Sequence, residues 1–224
     1  MLNKTKTDYD KLATLFQEKR GMMTPDMMYL KRFAKQGDKI LDLGCGFGRL
    51  NDVLKNLDIK YIGTDISFKQ IALAKKSYPN KKFKKCDLLI QSFHNNSFDK
   101  IFCLSVIHHI PSTKYRIKIL KEIKRVLKPQ GKLILTAWFA WDNPKIKKVI
   151  NKFNSSKSEF DRNDIIFPFK NNQGKVVINR YLHCFSQTEL KNLVDKAGFK
   201  IEETKVLKRD RKGENKNILI VAQK

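Results

Sequence analysis

Three glycines stand at alternate positions in Ile40-Leu41-Asp42-Leu43-Gly44-Cys45-Gly46-Phe47-Gly48-Arg49-Leu50, directly after a short apolar stretch. Asp65 follows Asp42 by 23 residues and closes Tyr61-Ile62-Gly63-Thr64-Asp65. Glycines at the carboxyl end of a strand bring bare backbone against a ligand. A carboxylate ending the next strand stands where ribose hydroxyls are held. The pattern is G-x-G-x-G and lacks the last glycine of the dinucleotide fingerprint, so a pyrophosphate on a helix N-terminus is not its first reading. Asp42 would repel a diphosphate but suits a ligand that carries an ammonium and a sulfonium. The plainer alternative is a βαβ turn whose glycines only make it tight.

On these residues the sequence resembles the class I methyltransferases that depend on S-adenosylmethionine (SAM), whose first motif reads like Leu41-Asp42-Leu43-Gly44-Cys45-Gly46-Phe47-Gly48. The resemblance implies SAM as cofactor, S-adenosylhomocysteine as product and no metal. Its cofactor contacts would be Asp42, Gly44, Cys45, Gly46, Asp65, Ile66 and Ser105, with Arg20 on the methionine carboxylate or simply solvated at a helix end. In Cys86-Asp87-Leu88 it implies that Asp87 accepts from the adenine amino group and that the next amide, Leu88, donates to the ring. A loop-starting aspartate can equally cap a short helix.

The segment Ser105-Val106-Ile107-His108-His109-Ile110-Pro111 resembles the S-x-x-H-H-I-P stretch of small class I methyltransferases, where donor and acceptor meet. It lacks the paired prolines and aromatic of the amino-adenine methyltransferases, which disfavours exocyclic amine methylation of nucleic acid. His108 and His109 are catalytic candidates, either as proton carriers or as rings that pack and line the pocket. A cysteine nucleophile for pyrimidine methylation would need an activated thiolate. Cys103 in an apolar strand and Cys184 between His183 and Phe185 are the nearest candidates, and the first reads as a packed thiol.

Farther on, Asp164-Ile165-Ile166-Phe167-Pro168-Phe169 and Asn179-Arg180-Tyr181-Leu182-His183-Cys184-Phe185, with Thr136-Ala137-Trp138, resemble the tRNA wobble-uridine carboxymethyl methyltransferases. That family shares a D-V-x-x-P-W segment, R-Y-x-H-x-F and an E-L helix. Here Phe169 replaces the tryptophan after the proline, and Lys19-Arg20-Gly21-Met22-Met23-Thr24-Pro25 stands where the family has T-R-x-x-P-W. The resemblance implies methyl transfer to the carboxylate of a carboxymethyl-modified wobble uridine, with tRNA as partner. A small activator subunit, which the eukaryotic members require, is an open question for this chain. A carboxylate is ionised at neutral pH, so esterification needs it held in line with the sulfonium methyl and shielded from water. Arg180 and His183 are the candidate holders, since a guanidinium fork suits a carboxylate. Tyr9 and Tyr181 are the candidate substrate contacts, able to stack on a base. Arg180 as a surface charge and Tyr181 as a core aromatic are the plainer alternatives, and a small-molecule O- or N-methyltransferase is the other reading of the whole.

These residues need a scaffold. Helical spacing over 8–20 and 25–36 predicts two N-terminal helices within 1–37. Strands KILDL, KYIGTD, KKFKKC, FDKIFCLS and GKLILTAW then alternate with helices at 48–56, 67–77 and 113–127, with 88–97 irregular. The alternation predicts one α/β domain over 1–224, doubly wound, with a mostly parallel seven-stranded sheet. FKIEETKVL and NKNILIVAQ read as a closing antiparallel pair whose connection, LKRDRKGENK, is an exposed basic tip. From 141 to 184 the periodicity dissolves into a lysine- and asparagine-rich insertion, too long for an ordinary connection and expected to form a lid. Ser186-Gln187-Thr188-Glu189 then supplies a capping box for the helix that Gly198 ends.

The chain has 224 residues, 47 Lys and Arg against 22 Asp and Glu, and a net charge of +25. Such a field draws polyanions, nucleic acid first, although lysine, asparagine and isoleucine are also what an AT-rich genome encodes. No apolar run reaches the ~18–20 residues that cross a bilayer, the N-terminus lacks a signal-peptide core, and the four cysteines form no C-x-x-C pair. A cytoplasmic protein with no membrane partner is expected.

Overall fold

The apolar strand β1 (Lys39–Leu43) lies between β2 (Lys60–Asp65) and β4 (Phe98–Leu104), parallel to both. Hydrogen-bonded on both edges and covered on both faces, it has no place for polar side chains except at its end. The computed structural model describes residues 2–20, 24–88, 93–155, 161–210, 213 and 215–224, apart from the side chains of 2–8, 19 and 20. With β3 (Lys82–Lys85), β5 (Leu127–Phe139), β8 (Lys200–Lys208) and β9 (Lys216–Gln223), the sheet runs β3-β2-β1-β4-β5-β9-β8. β9 is antiparallel to β5 and to β8, and the first five strands are parallel. This is the doubly wound, mostly parallel seven-stranded sheet the alternation predicts. Strand order reverses between β1 and β4, which opens a crevice beyond their carboxyl ends.

Side chains on β1 alternate between two cores. Leu41 and Leu43 face α5 (Thr113–Val126) and α7 (Gln187–Lys196), while Ile40 faces α2 (Pro25–Leu30), α3 (Leu50–Leu54) and α4 (Phe68–Ser77). Ser67 Oγ caps α4 by accepting from Gln70 N at 3.1 Å. The predicted capping box holds at α7, where Ser186 Oγ accepts from Glu189 N at 3.1 Å. The N-terminal helices differ from expectation in extent. α1 spans Leu2–Arg20, and the second ends at Leu30 and continues as a 3-10 turn, Lys31–Phe33.

Inside 141–184 the structure has more order than the periodicity suggests. α6 (Pro144–Ser155) precedes a two-stranded antiparallel ribbon, β6 (Asp164–Lys170) with β7 (Val176–His183). Ile146, Val149, Ile150 and Phe153 give α6 an apolar stripe that meets Ile165, Leu182 and Trp138. The far end of the ribbon brings Phe169 and Ile178 to Leu12 and Phe16 of α1. Pro168 is tolerated because a two-stranded ribbon consists only of edges.

A buried cation ties the ribbon to the sheet. Arg116 on α5 is 1 % exposed and donates from Nε to the Ile110 carbonyl at 2.9 Å. Its Nη2 donates to Asp164 Oδ1 at 3.2 Å and to the Tyr181 hydroxyl at 2.6 Å. Tyr181 in turn donates to Asp164 Oδ1 at 2.6 Å, and the His183 ring bridges Asp164 Oδ1 at 2.6 Å and Glu189 Oε1 at 2.8 Å. Burial pushes the Glu189 carboxyl up, but the His183 contact, the Ser186 backbone and the Arg116 charge together outweigh it and hold the group below its usual value. Removing one partner from such a network strands a charge in a dry place. Arg116→Ala is therefore expected to cost about 3–5 kcal/mol of stability in denaturant unfolding, with Arg116→Lys, which keeps the charge but not the fork, intermediate.

Candidate active site

Gly44 follows β1 with φ +74°, a conformation that disfavours any side chain. A Cβ there would fall 2.3 Å from Val106 Cγ2, so the loop after β1 and the loop after β4 meet with no room to spare. The Gly44 and Cys45 amides donate to the Thr64 carbonyl at 2.8 and 2.9 Å, which lashes the glycine loop to the end of β2. Asp65 completes the joint. Its Oδ2 accepts from Gly46 N and its Oδ1 from Ser67 N, each at 2.9 Å. Burial pushes the Asp65 carboxyl up, and these two amides pull against it without reversing the shift.

Asp42 is the more stressed acid. It is 3 % exposed, and its Oδ2 accepts from the Tyr61 hydroxyl at 2.7 Å. Burial first, and Asp65 after it, push its pKa up to about 7, against the Tyr61 hydrogen bond and the Arg49 cation.

The crevice at the switch point holds a cavity of about 170 Å³. Asp42, Gly44, Cys45, Gly46, Asp65 and Ile66 line one side of it. Asp87, Leu88 and Ser105 line another, and Tyr9 and His109 reach it from α1 and from the 3-10 turn Ile107–His109, their rings edge to face at 5.2 Å. The remaining nominated residues do not line it. His108 is 4 % exposed behind His109, and its Nδ1 accepts from Trp138 N at 3.2 Å. Tyr181 and His183 belong to the Arg116–Asp164 network. Arg180 lies beside the cavity wall, its guanidinium 4.8 Å from the Phe169 ring centre and 6.0 Å from that of Phe16, which lines the cavity. Arg20 ends α1, and its side chain lies outside the described residues.

Sequence reasoning missed five polar lining residues: Asp26, Arg49, Gln70, Thr136 and Arg209. Arg49 adjoins the glycine run and could have been read from it. Arg209 corrects the expectation of a wholly exposed tip after β8, because it turns in toward Asp26 Oδ2 at 3.8 Å, where Asn217 Nδ2 also donates at 2.8 Å. The two thiols weighed as nucleophiles are inert. Burial first, with Asp42 beside Cys103 and Asp164 beside Cys184, pushes each up to about 12, which leaves almost no thiolate at neutral pH.

Buried acceptors without a donor also mark this cavity. Among the described residues, Asp26 Oδ1 and Gln70 Oε1 are buried with no hydrogen-bond partner, and both side chains line the same space as Asp42 and Asp65. A wall of acceptors with two guanidiniums, Arg49 and Arg209, matches a ligand that brings hydroxyls and an ammonium together with one carboxylate.

Fold and crevice together have the form of a class I SAM-dependent methyltransferase domain. Residues 41–135 match the family described as a methyltransferase domain, the stretch that carries β1, the glycine loop and β4. A solved SAM-dependent methyltransferase from Methanosarcina mazei superposes with a TM-score of 0.75 at 26% identity, covering 90% of this chain and 98% of that one. The tRNA (carboxymethyluridine(34)-5-O)-methyltransferase of Schizosaccharomyces pombe is 28% identical over 212 residues, 87% of this chain and 88% of that protein. The probable tRNA methyltransferase 9B of Homo sapiens is 30% identical over 130 residues, and the chain spans only 28% of that protein's length.

Two outcomes test the geometry. Gly44→Ala puts a methyl into Val106 at a positive φ, so it is expected to weaken SAM binding at least tenfold by calorimetry and to lower stability by about 1–3 kcal/mol. Asp42 has a folded pKa above its unfolded value, so the stability it contributes is present at low pH and is lost as pH rises through about 7. In thermal melts without ligand, Asp42→Asn should therefore gain on the natural protein between pH 5 and pH 8.

Proposed function

We propose that the protein transfers the methyl group of SAM to a tRNA, and that the acceptor is the carboxylate of a carboxymethyl-modified wobble uridine. SAM supplies an electrophilic methyl on a sulfonium. Asp65 would hold the ribose hydroxyls, Asp87 and the Leu88 amide the adenine, and Ile66 would line the wall beneath it. The Gly44–Cys45–Gly46 backbone, with Ser105, would face the methionine portion. Asp42 and Asp26 would receive the ammonium, and Arg49 and Arg209 the carboxylate, a role given by sequence to Arg20. On the acceptor side Tyr9 and His109 close over the methyl, and the lid formed by 141–184 excludes water.

The observation that carries the acceptor is Arg180. Its Nε is buried with no hydrogen-bond partner among the described residues, while Phe16 and Phe169 fix the guanidinium plane at the cavity wall. A half-buried guanidinium with an unpaired Nε next to a methyl-donor site suits a carboxylate that needs orientation rather than deprotonation. His108, Tyr181 and His183 act on this reading by position: His108 backs His109, and Tyr181 and His183 hold β7 so that Arg180, on the opposite face, points to α1. Support also comes from the S. pombe enzyme, whose similarity continues past the methyltransferase domain through nearly the whole chain.

Labelled SAM and total tRNA from the source organism, followed by nucleoside mass spectrometry, test the reading, with and without a small activator subunit. The product should be a wobble-uridine ester whose label is lost in mild alkali. Label confined to small metabolites would favour the small-molecule alternative, for which a 31% identical Caenorhabditis elegans phosphoethanolamine N-methyltransferase is a relative over 126 residues. Arg180→Gln should lower methyl transfer about a hundredfold and leave SAM affinity within a factor of two, measured by single-turnover assay and calorimetry.

A further inference from the structure

We infer that the outer face of α6 is a docking surface for the phosphate backbone of the RNA substrate. The inference rests on the tRNA reading above and adds to it a place on the molecule. α6 carries Lys145, Lys147, Lys148 and Lys152 and no acid. Lys145, Lys148 and Lys152 recur at intervals of three and four, so they share one side of the helix, and all three are exposed. Among the described residues none of the three forms an ion pair. The neighbouring acids are turned elsewhere. Asp161 accepts from Thr113 N at 2.8 Å and pairs with Arg116 at 3.6 Å, and Asp164 is buried against Arg116. Among the described residues the cationic face therefore lacks the counter-charges that an ordinary solvated helix carries.

The apolar side of α6 decides between an RNA and a lipid surface. An interfacial helix must offer its apolar stripe to the bilayer. Here that stripe is consumed: Ile150 is fully buried, and Ile146, Val149 and Phe153 pack with it on Ile165, Leu182 and Trp138. What remains is charge alone, which fits a soluble polyanion. The position fits as well. The ribbon face under α6, through Ile165 and Leu182, continues along Arg180 to Phe169 and Ile178, which meet α1 beside the cavity. A strand lying on α6 is thereby led toward the residue proposed to hold the acceptor carboxylate. Lys145 to Lys152 spans roughly 10 Å of helix rise, enough for two adjacent phosphates.

The chain's overall excess of lysine makes a matched control necessary, and α5 provides one. Lys114, Lys118 and Lys121 form an exposed stripe of the same size there. The full chain, the triple Lys145→Gln, Lys148→Gln, Lys152→Gln variant and the corresponding α5 triple are titrated with bulk tRNA by fluorescence anisotropy over a range of salt. SAM affinity is measured on each as a check of folding. The α6 triple should bind at least tenfold more weakly at fixed salt, and its log–log salt slope should be shallower by about two to three units, because released counterions scale with phosphates contacted. The α5 triple should change the slope by less than one unit. If the α6 triple loses SAM binding, the single Lys148→Gln, expected to lower the slope by about one, takes its place. Equal losses in both triples, or a slope unchanged on α6, would overturn the docking surface and leave the tRNA reading standing. No tRNA binding by the natural chain at low salt would overturn both.

Discussion

A carboxylate held in a nearly dry place at the end of β1 is the constraint around which the site is organised. Asp42 is buried and faces Asp65 across the glycine loop, and one hydroxyl and one distant guanidinium only partly compensate it. A buried charge left in that condition protonates or finds a cation. The glycines follow from the same crowding. The loops after β1 and β4 approach until a single methyl would collide with Val106, and the backbone that remains exposed turns its polar groups to Thr64 and Asp65. The result is a crevice whose walls are acceptors, set at the only place in a doubly wound sheet where the strand order opens one.

The second organising element is Arg116, which does for the ribbon what Asp65 does for the glycine loop. One guanidinium on α5 gathers Asp164, Tyr181 and the carbonyl of Ile110, and through Asp164 it positions His183 and Glu189. The ribbon thereby hangs from the sheet at one end and lies on α1 at the other, so that α1, the ribbon and the Ile107–His109 turn meet around the mouth of the cavity.

The donor half was legible in the sequence because its signals are local. Glycine spacing and a capped helix involve residues a few positions apart, the second carboxylate ends the very next strand, and the βαβ alternation then fixes where they meet. The rest depends on long-range pairing. Asp26 meets Asn217 across 191 positions, so nothing near Arg209 announced that it would turn inward. α6 was hidden because its four apolar residues are outnumbered by lysine and asparagine, although their spacing is helical. The ribbon divides its apolar residues between two separate clusters, so neither strand shows a clean alternation on its own. Tyr181 and His183 look functional by type. In the folded chain their polar atoms are turned to Asp164, and it is Arg180, next to Tyr181 and on the other face of β7, whose Nε keeps no partner among the described residues.

On the proposed function, the cofactor's positive charge completes a carboxylate at the switch point that Tyr61 and Arg49 only partly compensate. Calorimetric titration of SAM at pH 6.5, in buffers of different ionisation enthalpy, tests it directly. Proton release on binding, abolished in Asp42→Asn, is the result this account predicts; binding without proton release in the natural protein, or release unchanged in the variant, would contradict it.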